Sequence, residues 1–303
     1  MRNGPDYIQF YPTIRCDRSC EYCFNRTMPD VPDMNLMACR KMFDKLKAIG
    51  VHTIDIIGGE PTVHPDIVSI VGEAVSKGFF VNVSSNGRDI GILEEISSID
   101  DKITVGISIN DRETLDRCAS LIRKNIFVVK SIFNMEMEQG LVKSILALKP
   151  KKFYLIHRDA ADRQDVQATI PFYQFIDTVH RRYNVKDIGT VFCSGFLPET
   201  GSSSGLDHVR CPAGTTKLGI MPDGSVYPCN LFFGRRKFFL GNILTDPFNS
   251  IWRHSSLVHL RSYSGNRCTQ KACKLHAQCH GGCPAQSLLI CNDLAAPDPR
   301  CSH

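Results

Sequence analysis

Short apolar runs recur through the first half of the chain, at 7–14, 51–57, 79–84, 102–109, 126–133 and 152–157. Each has the length of a β-strand and is bounded by polar or glycine-bearing text. Between them, apolar residues return every three or four positions, the period of a helix with one buried face. Leu36, Cys39, Phe43 and Leu46 form one such stripe, with Asn35 placed to cap its start and Gly50 to end it. Ile67, Ile70, Val71 and Ala74 form a second, with Pro65 suited to its first turn. Leu115, Cys118, Ala119 and Ile122 form a third. Six βα units in series predict a parallel sheet with helices outside, either barrel-like or an open α/β sheet. In such barrels the active site lies at the C-terminal ends of the strands.

After a helix-like stretch near 170–183 the texture changes. GSSSG at 201–205 reads as a flexible turn or linker, and beyond it cysteines and glycines crowd in. We place a boundary near residue 190, giving an α/β unit over 1–190 and a small cysteine-rich unit over 191–303. A chain of 303 residues that is 43% hydrophobic can bury one large core or two smaller ones. No apolar stretch approaches a membrane span, and MRNGPDYIQF has no signal-peptide core, so the expected setting is cytoplasmic. Fourteen cysteines in that setting point to metal or redox chemistry rather than disulfides. The formal charge of +5 brings no Lys/Arg block long enough for nucleic acid; Arg235, Arg236 and Lys237 read as a solvated turn.

Cys16, Cys20 and Cys23 stand as C-x3-C-x2-C just after the first strand-like run, with the aromatic Tyr22 before the last cysteine. Three thiolates on one short loop are one fewer than a [4Fe–4S] cubane takes, which leaves one iron open. The same three cysteines would also serve zinc. Gly58-Gly59-Glu60-Pro61 follows the second strand, and paired glycines let the backbone approach a ligand closely. Taken alone, that segment is an ordinary β-to-α turn. Ser85 and Asn86 end the third strand, Ser108 the fourth. Lys130, Asn134 and His157 also sit near strand ends, and of these His157 is carried as a catalytic candidate. In the C-terminal part, Cys211, Gly224 and Cys229 form C-x12-G-x4-C, with Gly224-Ser225 at an expected hairpin tip. Cys268, Cys273, Cys279 and Cys283 follow as C-x4-C-x5-C-x3-C, and then Cys301. Cys39, Cys118 and Cys291 follow apolar patterns and read as core thiols.

The first motif resembles the signature of radical S-adenosylmethionine enzymes, and the later cysteines resemble a SPASM domain, with LGNI, SIW and CHGGCPA in agreement. A longer spacing between Cys268 and Cys273 than the usual C-x2-C is the one departure there. The resemblance implies a partial (β/α)6 TIM-like barrel followed by a small iron–sulfur domain. It implies a [4Fe–4S] cluster on Cys16, Cys20 and Cys23 that chelates S-adenosylmethionine. Contacts to that cofactor would come from Tyr22, Gly58, Gly59, Glu60, Ser85, Asn86 and Ser108, although Asn110-Asp111 stands where the family has D-G after Ser108. Two auxiliary [4Fe–4S] clusters would use Cys211, Cys229 and Cys283, and Cys268, Cys273, Cys279 and Cys301. Cys193 is either a fourth ligand to the first set, a hydrogen donor to a substrate radical, or a structural thiol. The implied activity is reductive cleavage of S-adenosylmethionine, with a flavodoxin or ferredoxin as electron donor, followed by oxidative modification of a peptide or protein. With the first strand starting near Tyr7, a separate leader-binding protein is expected. The alternatives are a tetrapyrrole or other small-molecule substrate, a non-enzymatic electron carrier, and a zinc scaffold.

Overall fold

All six apolar runs become parallel strands: β1 (Tyr7–Phe10), β2 (Thr53–Ile56), β3 (Phe80–Ser85), β4 (Ile103–Ser108), β5 (Val128–Phe133) and β6 (Lys152–His157). The computed structural model describes residues 4–134, 139–183, 186–191, 211–262, 268 and 281–301. A seventh parallel strand, β7 (Gly189–Val191), pairs with β6 and was not expected, because three residues are too few to register as an apolar run. The helices between strands are α1 (Leu36–Ala48), α2 (Ile67–Ser76), α3 (Ile90–Ser97), α4 (Arg112–Ile122) and α5 (Gln139–Ala147). Two more, α6 (Arg163–Gln167) and α7 (Phe172–Arg182), follow β6.

Local chemistry explains the helix starts. The Asn35 side chain accepts from the Ala38 amide at 2.9 Å, capping α1 as expected. Asp89 and Asp111 cap α3 and α4 in the same way. Pro65 is displaced from its expected place: α2 opens at Ile67, and Pro65 lies in the preceding turn, where His64 Nδ1 accepts from the Asp66 amide at 3.0 Å. The predicted apolar faces are buried, with Cys39, Phe43, Leu46, Ile67, Ile70, Val71 and Ala74 all at most 1% exposed. Cys118 is equally buried, so both it and Cys39 are core thiols.

Among the described residues, the strands of the cysteine-rich part join the same sheet. Strand β8 (Lys217–Ile220) pairs in parallel with β1, in the register Tyr7 with Lys217 and Phe10 with Ile220. Strands β9 (Ser225–Tyr227) and β10 (Gly241–Asn242) continue outward antiparallel, giving the order β10-β9-β8-β1-β2-β3-β4-β5-β6-β7. The β8–β9 turn is the expected hairpin tip, and Gly224 takes the left-handed φ of +84° that the turn requires. The helix α8 (Phe248–Trp252) packs against β10, and α9 (Pro284–Cys291) against the turn at Asn230–Phe232. One apolar core runs from the α1–α2 layer into Phe232, Phe238, Ile243 and Ile251. Cys291 departs from expectation. The buried residues of α9 are Pro284–Ser287 at its start, so its last residue, Cys291, emerges exposed. Arg235, Arg236 and Lys237 form the expected exposed turn. The GSSSG segment and Cys193, Cys273 and Cys279 lie outside the described residues. Among the described residues, no helix is long and apolar enough to cross a membrane.

Candidate active site

The chain beyond β1 runs beside the exit of β2, and the contact is made backbone to backbone. Gly59 donates to the Thr13 carbonyl at 3.1 Å and Glu60 to the Arg15 carbonyl at 2.8 Å. A Cβ on Gly59 would stand 2.0 Å from the Arg15 oxygen, and one on Gly58 2.4 Å from the Thr13 oxygen. Only glycine permits this approach, and Gly58 also has φ of +153°. The Gly-Gly turn thereby straps the root of the cysteine loop. On the loop itself the Cys23 amide closes a turn on the Cys20 carbonyl at 3.0 Å, and Asn25 donates to the Gly58 carbonyl at 2.6 Å.

Cys16, Cys20 and Cys23 line a cavity of about 200 Å³ together with Tyr22, Gly58, Gly59, Glu60, Ser85, Asn86 and Ser108. All seven expected cofactor contacts therefore share one wall system with the three thiols. Their mutual hydrogen bonds reveal division of labour. Glu60 is 1% exposed; its Oε1 accepts from the Thr62 amide and hydroxyl, and its Oε2 from the Asn86 amide at 2.6 Å. Burial nevertheless pushes its carboxyl above the usual range, against those hydrogen bonds. The Asn86 side chain reaches Asp17 in the cysteine loop at 2.7 Å. Asn110 donates to the Tyr22 hydroxyl at 2.9 Å and accepts from the Ile132 amide at 2.8 Å, tying the loop to β5.

The cavity floor is polar. Lys130, 7% exposed, lines it and donates to Ser84, and Gly106 leaves room for its side chain, since a Cβ there would meet Lys130 Cε at 3.0 Å. Below lies Asp55, whose carboxylate accepts from the Tyr7 hydroxyl at 2.5 Å. Burial pushes Asp55 up and Lys130 down, each partly offset by the other's charge. Asn25, Asn230, Arg158 and Asp159 complete the walls. Two buried carbonyl oxygens there, Asn25 Oδ1 and Asn230 Oδ1, have no hydrogen-bond partner among the described residues, which fits a ligand bearing N–H groups such as an ammonium or an amino-purine. Among the described residues, no three His, Cys, Asp or Glu side chains converge on the point one metal ion would occupy. A cubane spreads its ligands over separate iron corners and needs no such convergence.

His157 does not belong to this site. Its ring packs on Phe172 and Phe175, with centroids 4.5 and 5.3 Å away, and Nε2 meets the Ile170 carbonyl at 2.7 Å. Burial first, then the Arg300 charge, lowers its pKa to about 3, so it is a neutral core residue. Lys130, a strand-end residue that sequence alone does not single out, belongs to the cavity wall. A charged residue inside the apolar run VVKSIF was the available signal. Asn25 and Asn230 gave none beyond standing two and one residues after a candidate ligand.

Of the C-terminal cysteines, Cys229 stands next in sequence to a residue of the cavity wall, Asn230, and is 5% exposed. Cys283 caps α9, and Gln286 on that helix accepts from the Ala160 amide at 3.3 Å, just after β6. Cys211, Cys283 and Cys301 are partly buried, as is Cys268.

Both parts of the chain resemble known proteins. The radical SAM superfamily matches residues 10–132, and SPASM, an iron–sulfur cluster-binding domain, matches residues 211–284. The mycofactocin maturase MftC of Mycobacterium tuberculosis H37Rv is 26% identical, over 99% of this chain and 83% of its own. The subtilosin biosynthesis protein AlbA of Bacillus subtilis is 26% identical, over 94% of this chain and 68% of its own. The structure of Streptococcus suis SuiB bound to its precursor peptide SuiA superposes with a TM-score of 0.75 at 19% identity, covering 99% of this chain and 76% of that one. That likeness establishes a shared fold. The chain carries a radical SAM domain followed by a SPASM domain, the make-up of a radical SAM enzyme of the SPASM subfamily.

Proposed function

We propose that this enzyme cleaves S-adenosylmethionine reductively and uses the resulting radical to oxidise a peptide. The observation that carries the reading is the single cavity on which the three thiols of the cysteine loop, the Gly58–Glu60 turn and Asn230 of the auxiliary segment meet. When bound at Cys16, Cys20 and Cys23, an iron–sulfur cluster supplies the electron that splits the sulfonium into methionine and a 5′-deoxyadenosyl radical, which takes a hydrogen atom from substrate. The chain's own residues position and exclude. Gly58 and Gly59 bring the backbone against the ligand, Ser85, Asn86 and Ser108 offer polar contacts, and Glu60 holds Asn86 in place. A second cavity of about 310 Å³ shares Asn230 and opens between Ala160 and Phe233, giving room for a substrate beside the first.

Relatives named as maturases of mycofactocin and of subtilosin support a peptide substrate. We further assign two auxiliary cubanes, one on Cys211, Cys229 and Cys283 with Cys193 as fourth ligand, the other on Cys268, Cys273, Cys279 and Cys301. They would offer an electron acceptor, which favours an oxidative outcome. A flavodoxin or ferredoxin is the proposed donor, and the cytoplasm the proposed setting, where thiols stay reduced. The functional division is proposed at 190/191, although both parts share one sheet.

Anaerobically reconstituted protein should hold about 12 irons, four per cubane. With dithionite and S-adenosylmethionine it should release 5′-deoxyadenosine. Replacing Cys16, Cys20 and Cys23 together with alanine should remove about four irons and abolish that product. Product from the triple variant would overturn the site assignment, and iron near one cubane in the intact protein would overturn the auxiliary pair.

A further inference from the structure

The wall of the cofactor cavity is joined to the auxiliary cysteines by a buried ion triad. Arg300 is 1% exposed and lies between Asp159 and Asp298, themselves 2% and 0% exposed. Its Nη1 donates to Asp159 Oδ1 at 3.0 Å and to the Arg158 carbonyl at 3.0 Å. Its Nε and Nη2 form a fork on Asp298, at 3.1 and 2.9 Å. The guanidinium lies over the Phe172 ring, 5.0 Å from its centroid. Taking one arginine and two carboxylates out of water is costly unless every charge is paired, and here geometry pairs them.

Each end of the triad touches chemistry. Asp159 lines the cofactor cavity. Asp298 accepts from the Cys283 amide at 2.7 Å through Oδ2, and its carbonyl accepts from the Cys301 amide at 2.9 Å. Gly282 makes the first contact possible. It has φ of +79°, and a Cβ there would stand 2.3 Å from Asp298 Cβ. One aspartate thus sets the backbone of two cysteines that sequence places 18 residues apart. A guanidinium does not lose its proton in a protein, so Arg300 is a permanent positive charge held on Asp298.

We propose that Arg300 is a positioning residue between the two auxiliary clusters: it holds Asp298 against Cys283 of one and Cys301 of the other, and its fixed positive charge, set on the same Asp298 oxygen that accepts from the Cys283 amide, raises the reduction potential of the cluster bound at Cys283. The inference rests on the assignment of Cys283 and Cys301 as cluster ligands. Reduction adds negative charge to a cluster, so a nearby cation favours the reduced form, and potentials respond to charge and to hydrogen bonds around the ligands. Asp159, opposite in sign, trims that effect from the cavity side.

The test uses the full chain with Cys16, Cys20 and Cys23 replaced by alanine and reconstituted anaerobically, so that only auxiliary clusters give a signal. Redox titration followed by electron paramagnetic resonance reads their midpoints, and iron content is measured in parallel. Arg300→Gln should shift one midpoint to more negative values or lose that cluster's iron, Arg300→Lys should stay near the parent, and Asp159→Asn should shift the same midpoint to more positive values. The opposite signs separate charge from mere disturbance of packing. If Arg300→Gln fails to fold, the lysine and Asp159→Asn variants still decide. Full iron with both midpoints unmoved, or Arg300→Gln and Asp159→Asn shifting in the same direction, overturns the role of Arg300 alone. A parent protein that binds no iron at these cysteines overturns the ligand assignment and this inference with it.

Discussion

Glu60 lines the cavity with a carboxylate already held by its protein neighbours. The Gly-Gly-Glu-Pro motif pointed to a cofactor contact, and the residue does line the cavity. Both carboxylate oxygens, however, are engaged by Thr62 and Asn86. Glu60→Ala should therefore weaken S-adenosylmethionine binding by releasing Asn86, and should cost about 1–3 kcal/mol of stability through the amides left unpaired. Equilibrium dialysis and urea unfolding would check this, and wild-type values for both would refute it. His157 makes the opposite point. A histidine at a strand end suggests chemistry, but only tertiary packing reveals that Phe172 and Phe175 enclose it. Its pKa is depressed from 6.5 to about 3. The unfolded chain binds a proton there below pH 6.5 and the folded chain does not, so stability is full above that value and is lost as pH falls towards 3. The expected slope reaches about 1.4 kcal/mol per pH unit. His157→Gln, which can still donate to Ile170, should flatten this acid limb in urea midpoints measured from pH 7 to pH 4. Lys130 and Asn230 take their meaning from neighbours distant in sequence, such as Ser84 and Tyr11.

The repeating elements were the most legible level. Strand after strand, apolar runs gave parallel pairing because a sheet covered by helices on its outer side buries near-continuous apolar strands. The polar exceptions inside those runs, Gln9, Asp55, Asn82 and Lys130, are all buried. They mark the interior of the partial barrel rather than breaks in it. What pattern could not supply was the contact between the cysteine loop and the β2 exit. It is made of backbone atoms, and its sole trace in sequence is a pair of glycines. Gly59→Ala should force that turn away from Arg15, costing about 1–3 kcal/mol by overpacking and reducing iron retained at Cys16, Cys20 and Cys23. Thermal melting and iron analysis of the variant would show it, and an unchanged iron content would contradict the strap. The short β7 and the start of α2 escaped for simpler reasons. The first is below the length at which periodicity registers, and the second is set by the His64 contact to the Asp66 amide.

At the scale of the molecule, the cysteine spacings announced a second functional unit, and the change of texture suggested a second body. The structure joins them: β8 lies against β1, and one core crosses the division. Sequence carries no mark of such pairing, since it joins the first strand to one near the far end of the chain. A protein ending at residue 191 would leave β1 as an uncovered edge of buried, apolar character, a template for association. It should be found aggregated, or as multimers by light scattering, where the full chain is not. A monodisperse, folded product would show that β8 is dispensable. The same pairing sets a schedule for the growing chain. Tyr7 pairs with Lys217, and at about 5–20 residues per second a ribosome needs on the order of ten seconds or more between them. Throughout that interval β1 has only one of its two neighbours, and the thiols that follow it hang from an unfinished frame. The frame behind the cysteine loop is thus completed only once residues 217–220 have been made.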